Sequence, residues 1–574
     1  MWLLLLLVVL AFIPLRVFLT RIIESDYLAL AVSIPDDSYY YLLPAWRFKT
    51  HGYFTFDGVH RTYGFQPLFM VLLTGLSVIL PSIEAVFRAA FSINATLHVA
   101  TGVLIGLVVN TVLSECSALV RYTASLGAGA IYLLGWNLFW VNLTLKENPL
   151  ATFLYVLAIL CLLRALSPHR ERSIGSDVWL GTLIGLLILA RLLPSSLLAA
   201  GVMLGVVWVC LPRRSAIIIG AATLTPLLIW GIYAKLAFGH VVPSSMLIKT
   251  AGGGILGTVR HWRSLGLAEL YASVGWYVRW AFSLFTDRDI GPAHFLSRAG
   301  FLAAGAVGLA VCMAFAAWWS RSRTTIVLLA AASLAGVVAI PVLQYSTSKY
   351  LLIYSTWYLF DISAILVIAC AAALGFLGQR GIARMPARWT SPRPTVVATL
   401  IALIWVGAAA LEIKWYRPVP IARWEESGCA GHDGPCTTVS DSSWVKGVAN
   451  AALWFRSSVP LADGERAGAF NAGLVGLLLL PKPLVNLDGL ANDDIQGKYL
   501  GRPGAWPSPA LGEYIPRQRI RYVIDHIPPW TEWETTVGLK TDLLMKTPRA
   551  PSSVNPGPYV VRFPQAFPAT ATQR

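Results

Sequence analysis

Charge is what this chain has least of. Only 13% of its 574 residues are Asp, Glu, Lys or Arg, against 56% hydrophobic. A soluble chain of this length needs far more charge to cover its surface, so a soluble globular protein is excluded. No internal repeat is visible, and repeated halves are a mark of many transporters. The net charge of +16 is not gathered on any soluble face, which excludes a nucleic-acid partner. Cysteine is sparse. Cys116, Cys161, Cys210, Cys312 and Cys370 sit in or beside apolar runs, where a lone thiol acts as a small apolar residue. That leaves Cys429 and Cys436, within GCAGHDGPC, as the pair for which an oxidising compartment predicts a disulfide. A metal site there is the weaker reading, with His432 nearby and no second Cys pair.

What is abundant is apolar sequence in blocks of roughly 16–25 residues, the length that crosses a bilayer as a helix. The blocks are Met1–Leu19, Ala89–Leu113, Tyr122–Val141, Pro149–Leu166, Val178–Leu193, Ser196–Leu211, Ala216–Tyr233, Phe301–Trp319, Ile326–Leu343, Trp357–Leu377 and Val396–Leu411. An α-helical polytopic membrane protein with about eleven transmembrane helices is expected. Met1–Leu19 lacks a basic leading region and a small-x-small cleavage site, so it reads as a retained anchor. Basic residues gather in alternate loops, at Arg164/Arg170/Arg172, Arg213/Arg214, Arg321/Arg323 and Arg380/Arg384/Arg388/Arg393. The positive-inside bias puts those loops and the N-terminus in the cytoplasm and everything after Leu411 outside an inner (cell) membrane. Arg16 and Arg21, at the outer end of the first span, go against this trend but are outnumbered.

Pro67–Pro81 is too short to span and reads as a helix lying in the outer interface, as does the Trp- and Tyr-rich Ile255–Phe285, where a twelfth, re-entrant span is the alternative. Residues 1–411 then form the membrane domain. Residues 412–574, richer in Pro, Asp and Gly and without a span, form a small extracytoplasmic α/β domain with a loose end from Pro548. Its expected elements are a helix at Trp444–Phe455 and strands at Arg466–Phe470, Pro483–Leu487 and Arg521–Ile524.

Polar chemistry concentrates in the outer loops. The first opens with Asp36-Asp37-Ser38-Tyr39-Tyr40-Tyr41-Leu42. An Asp before such a run can cap its helix by accepting backbone N–H bonds. It can equally take a proton from an incoming hydroxyl, a role that contributes about 10²–10⁴-fold. The two readings are compatible.

The acidic pair, the aromatic run and the following Tyr63-Gly64-Phe65-Gln66-Pro67-Leu68 resemble the GT-C glycosyltransferases, among them the protein O-mannosyltransferases, the lipid A aminoarabinose transferases and the mycobacterial arabinofuranosyltransferases. Further resemblances follow in order: Lys146-Glu147-Asn148-Pro149, Ala190-Arg191-Leu192, Phe238-Gly239-His240 through Lys249, Ser355-Thr356-Trp357-Tyr358, and the tail's Asn486–Asp494. The chain departs from the pattern at Tyr63, Gln66 and the residue after Arg191.

The resemblance implies a polyprenyl-phosphate sugar donor, a hydroxyl acceptor on a glycan, lipid or protein, and direct displacement with inversion. On that basis Asp36 is the candidate base, Asp37 a supporting carboxylate and Glu147 a second catalytic or metal-binding carboxylate. Arg191, Lys249, Arg61 and Arg88 are candidates to meet the lipid phosphate, since outward cations stabilise a departing phosphate. Each has a plainer reading: Arg191 as an interfacial snorkel, Lys249 as a solvated loop residue, Arg88 as a partner of Glu84 at helical spacing, and Lys146 with Glu147 as an exposed pair. His51, His60 and His240 leave a divalent metal open without requiring one. The competing function classes are a transporter or flippase of lipid-linked sugars and a non-catalytic envelope-assembly subunit. Polar residues confined to outer loops argue against the first, and the ordered acid and cation motifs against the second.

Overall fold

The fold is taken from a computed structural model, which describes residues 26–32, 34–134, 144–167, 172–192, 194–246, 360–383, 443–489, 491–495, 508–525, 531–546 and 558–564, with Asn142 and scattered positions before Asp26. The expected spans Phe301–Trp319, Ile326–Leu343 and Val396–Leu411, the segment Ile255–Phe285, Lys249 and the pair Cys429/Cys436 lie outside the described residues.

The first part is helical. In order come α1 (Tyr27–Val32), a 3-10 turn at Asp36–Ser38, α2 (Tyr39–His51), α3 (Pro67–Ile79), α4 (Ile83–Val112), α5 (Ala118–Leu134), α6 (Asn148–Leu166), α7 (Ile174–Ala190), α8 (Pro194–Cys210), α9 (Arg213–Phe238) and α10 (Phe360–Ala383). Among the described residues α4, α6 and α9 are long and apolar enough to cross a membrane. The ends follow local sequence rules. Ser82 caps α4 by accepting from Ala85 N at 3.1 Å, and Ser173 with Ser176 forms a capping box on α7. Pro67 occupies the first turn of α3 and Pro149 that of α6, where the missing N–H costs nothing. Helix α2 stops at Gly52, whose φ of 71° is left-handed.

Close helix packing rests on small residues. A Cβ on Gly181 of α7 would lie 2.3 Å from the Ile219 carbonyl oxygen of α9, and one on Gly185 would lie 2.5 Å from that of Thr223. The Thr223 hydroxyl donates to Gly181 O at 3.0 Å across this seam. With no hydrophobic force to join helices in lipid, such backbone approach and hydroxyl bonding supply the attraction. The outward face of α9 keeps Ile217, Leu224, Leu228, Ile229, Ile232 and Leu236 exposed, as a lipid-facing surface requires.

The C-terminal part contains α11 (Ser443–Ser458), β1 (Arg466–Ala469), α12 (Ala472–Leu479), β2 (Leu484–Asn486), α13 (Leu511–Arg517), β3 (Ile520–Asp525), α14 (Glu532–Thr535), β4 (Asp542–Lys546) and β5 (Tyr559–Arg562). The strands make one mixed sheet of order β2-β1-β3-β5-β4. Strand β1 pairs in parallel with β2 and β3, and β5 pairs antiparallel with β3 and β4. Both faces of the central strands are buried. Val523 and Val561 face a separate core around Trp533, Phe470 and Phe563. Ile524 and Val560 face the other way and join the main core with α11 and α12. This puts α12 between the sheet and the membrane-type helices.

Candidate active site

Three links sew the first loop to the loop before α6. Ser38 Oγ donates to the Thr144 carbonyl, Lys146 Nζ lies 3.2 Å from Asp37 Oδ2, and the Tyr41 hydroxyl donates to Glu147 Oε2 at 2.8 Å. Residues of the 3-10 turn and of the start of α2 thus meet neighbouring residues of one loop, which holds the two segments together. Arg191, at the C-terminal end of α7, brings its Nε to 3.7 Å from Glu147 Oε1. Gln66 closes the ring by accepting from Leu192 N at 2.7 Å.

Lys146 and Glu147 are not an exposed pair. They are 2% and 6% exposed, and each turns to a different partner. Burial without partners would be prohibitive for either charge, which is why Asp37 and Arg191 must be where they are. Arg191 is not a snorkel either, since its side chain is wholly buried. Lys146 and Tyr41 are site residues to which the sequence gave no role, although both fall within the motifs quoted above.

Asp36 does not cap its own helix, as no side chain caps either the 3-10 turn or α2. It caps one far away in sequence. Gly473 N donates to Asp36 Oδ2 at 3.0 Å and Leu474 N to Oδ1 at 2.7 Å. The next amide, Ala472 N, donates to the Tyr40 hydroxyl at 3.2 Å. The first N–H groups of α12, which a helix cannot satisfy internally, are therefore taken by the aromatic-acidic motif of the first loop. Asn471, at the α12 N-cap position, makes no side-chain cap bond of its own.

Three carboxylates and two cations face one another here, and the pairing is uneven. Asp37 has Lys146 and Glu147 has Arg191. Asp36 is held by neutral amides instead. Burial pushes its carboxyl up to about 6, with the Leu474 and Gly473 N–H bonds pulling the other way and the Asp37 charge adding to the rise. A carboxylate with that proton affinity is ionised at neutral pH and yet a better proton acceptor than an ordinary one.

Around this centre the C-terminal part is tied down at two further points. Asp57 hydrogen-bonds His60 at 2.5 Å, and His60 Nε2 reaches Gln518 Oε1 at 2.9 Å. Burial opposes both charges, but the mutual bond prevails, holding the Asp57 carboxyl below and the His60 imidazole above their ordinary values. Asp493 accepts from the Ser244 hydroxyl at 2.6 Å and from Tyr63 N at 3.1 Å, and lies 3.5 Å from His240 Nε2. Burial nonetheless raises its carboxyl above the usual range.

The other candidates lie apart from the cluster. Arg61 donates to Ala237 O at 2.8 Å and lies over the Tyr53 ring. Arg88 pairs with Glu84 at 2.8 Å and donates to Ile22 O, so its plainer reading describes its contacts. Among the described residues no group of three or more His, Cys, Asp or Glu side chains is arranged to hold a metal ion. His60 and His240 serve instead as partners of aspartates.

No family model matches the chain, and no curated protein matches it. Solved structures do. The crystal structure of the Archaeoglobus fulgidus oligosaccharyltransferase tethered to an acceptor peptide is 15% identical, with 93% of this chain and 69% of that chain covered at a TM-score of 0.53. The crystal structure of ArnT from Cupriavidus metallidurans bound to undecaprenyl phosphate is 12% identical, with 99% of both chains covered at a TM-score of 0.51. The A. fulgidus oligosaccharyltransferase AglB in complex with an inhibitory peptide and a dolichol-phosphate is 14% identical, with 93% and 70% covered at a TM-score of 0.51. These neighbours are GT-C glycosyltransferases, and their likeness over nearly the whole chain gives it the fold of the GT-C class.

Proposed function

We propose that this protein is a membrane-embedded glycosyltransferase that moves a sugar from a polyprenyl-phosphate carrier to a hydroxyl acceptor at the outer face of the membrane, with inversion. The observation that carries this reading is the convergence of Asp36 and Asp37 with Lys146, Glu147 and Arg191, from three separate segments, at the ends of apolar helices. Neighbours of the same fold bind undecaprenyl phosphate and dolichol-phosphate.

In this reaction the acceptor oxygen attacks the anomeric carbon as its proton passes to Asp36. The bond from that carbon to the phosphate oxygen breaks on the opposite side, and the bonding pair leaves with the lipid phosphate. Asp36 is the base because Asp37 and Glu147 each face a cation, whereas Asp36 is held by neutral amides and its proton affinity is raised. Asp37 supports it by keeping Lys146 in place. The positive charge of Lys146 and Arg191 lowers the cost of bringing a phosphate up to three carboxylates. Lys249 remains the candidate for direct contact with that phosphate. The two parts of the chain are the membrane domain 1–411 and the extracytoplasmic domain 412–574.

The test is transfer of a radiolabelled sugar from polyprenyl-phosphate sugars to envelope acceptors by the purified protein in lipid. Formation of labelled product supports the reading. Its absence across the common polyprenyl-linked sugars, with protein that is folded by melting, overturns it. Topology is tested separately. The positive-inside bias of the arginine-rich loops supports a tail outside the cytoplasm, so a reporter active only outside the cytoplasm, fused after Arg574, is expected to be active, and an active cytoplasm-only reporter there reverses the orientation.

A further inference from the structure

We propose that the C-terminal part is a component of the catalytic centre, and that Gly473 is a positioning residue that lets the N-terminus of α12 aim the Asp36 carboxylate. This inference rests on the reading of Asp36 as the base.

The contact is built from both sides. Helix α12 presents three consecutive amides, and the DDSYYY motif takes all three, Tyr40 from Ala472 and Asp36 from Gly473 and Leu474. Bonds to both oxygens fix the carboxylate plane, and the partial positive charge of the helix end lies along the bond direction. Each oxygen keeps a further lone pair, so Asp36 can still accept a proton while it is held.

The approach is too close for any residue but glycine. A Cβ on Gly473 would meet the Asp36 carbonyl oxygen at 2.1 Å and its carboxyl carbon at 2.9 Å. One turn on, Gly476 packs against Leu43 and Phe56 of the same loop, where a Cβ would meet side chains at 2.9 Å. Tyr40 is further gripped from the sheet side by Asp488 and Asn486, at 3.3 and 3.4 Å, so the loop carrying Asp36 is set between the tail and the loop of Lys146. Precise placement of a reacting group is worth much, since a shift of about 1 Å can cost on the order of 10²-fold in rate.

The test is Gly473→Ala in the full-length protein in lipid, assayed for rate against pH, for the KM of the polyprenyl-phosphate donor, and for hydrogen–deuterium exchange of the 470–479 segment. The expected result has three parts. The rate falls about tenfold to a hundredfold with donor KM within about threefold, because the donor is not touched. The acid limb of the pH profile moves upward, because the amide bonds that lower the Asp36 proton affinity are weakened. Exchange in 470–479 speeds up. Should Gly473→Ala fail to fold, Tyr40→Phe removes the hydroxyl that takes the Ala472 N–H, loosening the same helix end without adding an atom. An unchanged rate and limb, or a slower rate with the limb unmoved, overturns the inference. Failure of the underlying reading looks different: Asp36→Asn then keeps its activity whatever Gly473→Ala does.

Discussion

Asp36→Asn is expected to lower transfer by roughly 10²-fold or more while leaving the protein inserted and folded. The substitution keeps shape and removes the ability to accept a proton. Its effect on stability should be small. Burial raises the folded-state proton affinity of Asp36 to about 6, above its ordinary value. Such a group stabilises the fold most below its unfolded value, and that contribution is lost as pH rises through about 6. At neutral pH a neutral Asn therefore relieves a buried charge, which offsets the loss of one of the two N–H acceptors. The wild-type rate should also decline as pH falls through about 6, where Asp36 takes up a proton and ceases to be a base. Steady-state rates from pH 5 to 8, with melting curves for both proteins, check the two statements together. An Asp36→Asn protein with near-normal turnover moves the base to Asp37 or Glu147. Asp37→Asn is expected to do less damage, through release of Lys146.

Arg191→Met should act on the fold more than any other single change at the site. The side chain is wholly buried and lies 3.7 Å from Glu147, which is 6% exposed. Removing one partner of a buried pair leaves the other charge uncompensated, at a cost of about 3–5 kcal/mol. The Tyr41 hydroxyl then remains as a donor to Glu147, and one neutral hydrogen bond does not replace an ion. Loss of donor handling should accompany the loss of stability if Arg191 also balances the lipid phosphate. Adding Glu147→Gln to Arg191→Met should restore much of the melting temperature by removing the orphaned charge, but not the activity. A double-mutant cycle in detergent measures this coupling. If Arg191→Met melts as the wild type does, the pair has no structural role and the cluster is looser than its distances imply.

Part of this could be read from the sequence, for a physical reason. Helices that face lipid must be apolar over their whole length, so their signal is local: the expected Ala89–Leu113, Pro149–Leu166 and Ala216–Tyr233 correspond to α4, α6 and α9, extended by their capping turns. Strand positions in the tail were legible because short apolar runs there are bounded by turn residues, and Arg466–Phe470, Pro483–Leu487 and Arg521–Ile524 correspond to β1, β2 and β3. Asp36, Asp37, Glu147 and Arg191 stood out through the motifs that resemble the GT-C glycosyltransferases, and the structure brings those four near one another.

Other features depend on contacts between residues far apart in the chain. Local spacing suggested that Asp36 caps the helix it precedes, but the amides it serves belong to α12, more than four hundred residues on. Lys146 and Glu147 read as a solvated pair because adjacency is all a sequence shows; burial sent them to opposite partners. Arg61 and Arg88 resembled the other cations in type and loop, and only the packing of α3, α4 and α9 carried them away from the cluster. Hydropathy and turn chemistry act over a few residues and are written in the sequence itself. Which carboxylate is paired with a cation, and which is left with its proton affinity raised, depends on desolvation and on charges delivered from remote segments, and so was decided by the tertiary structure alone.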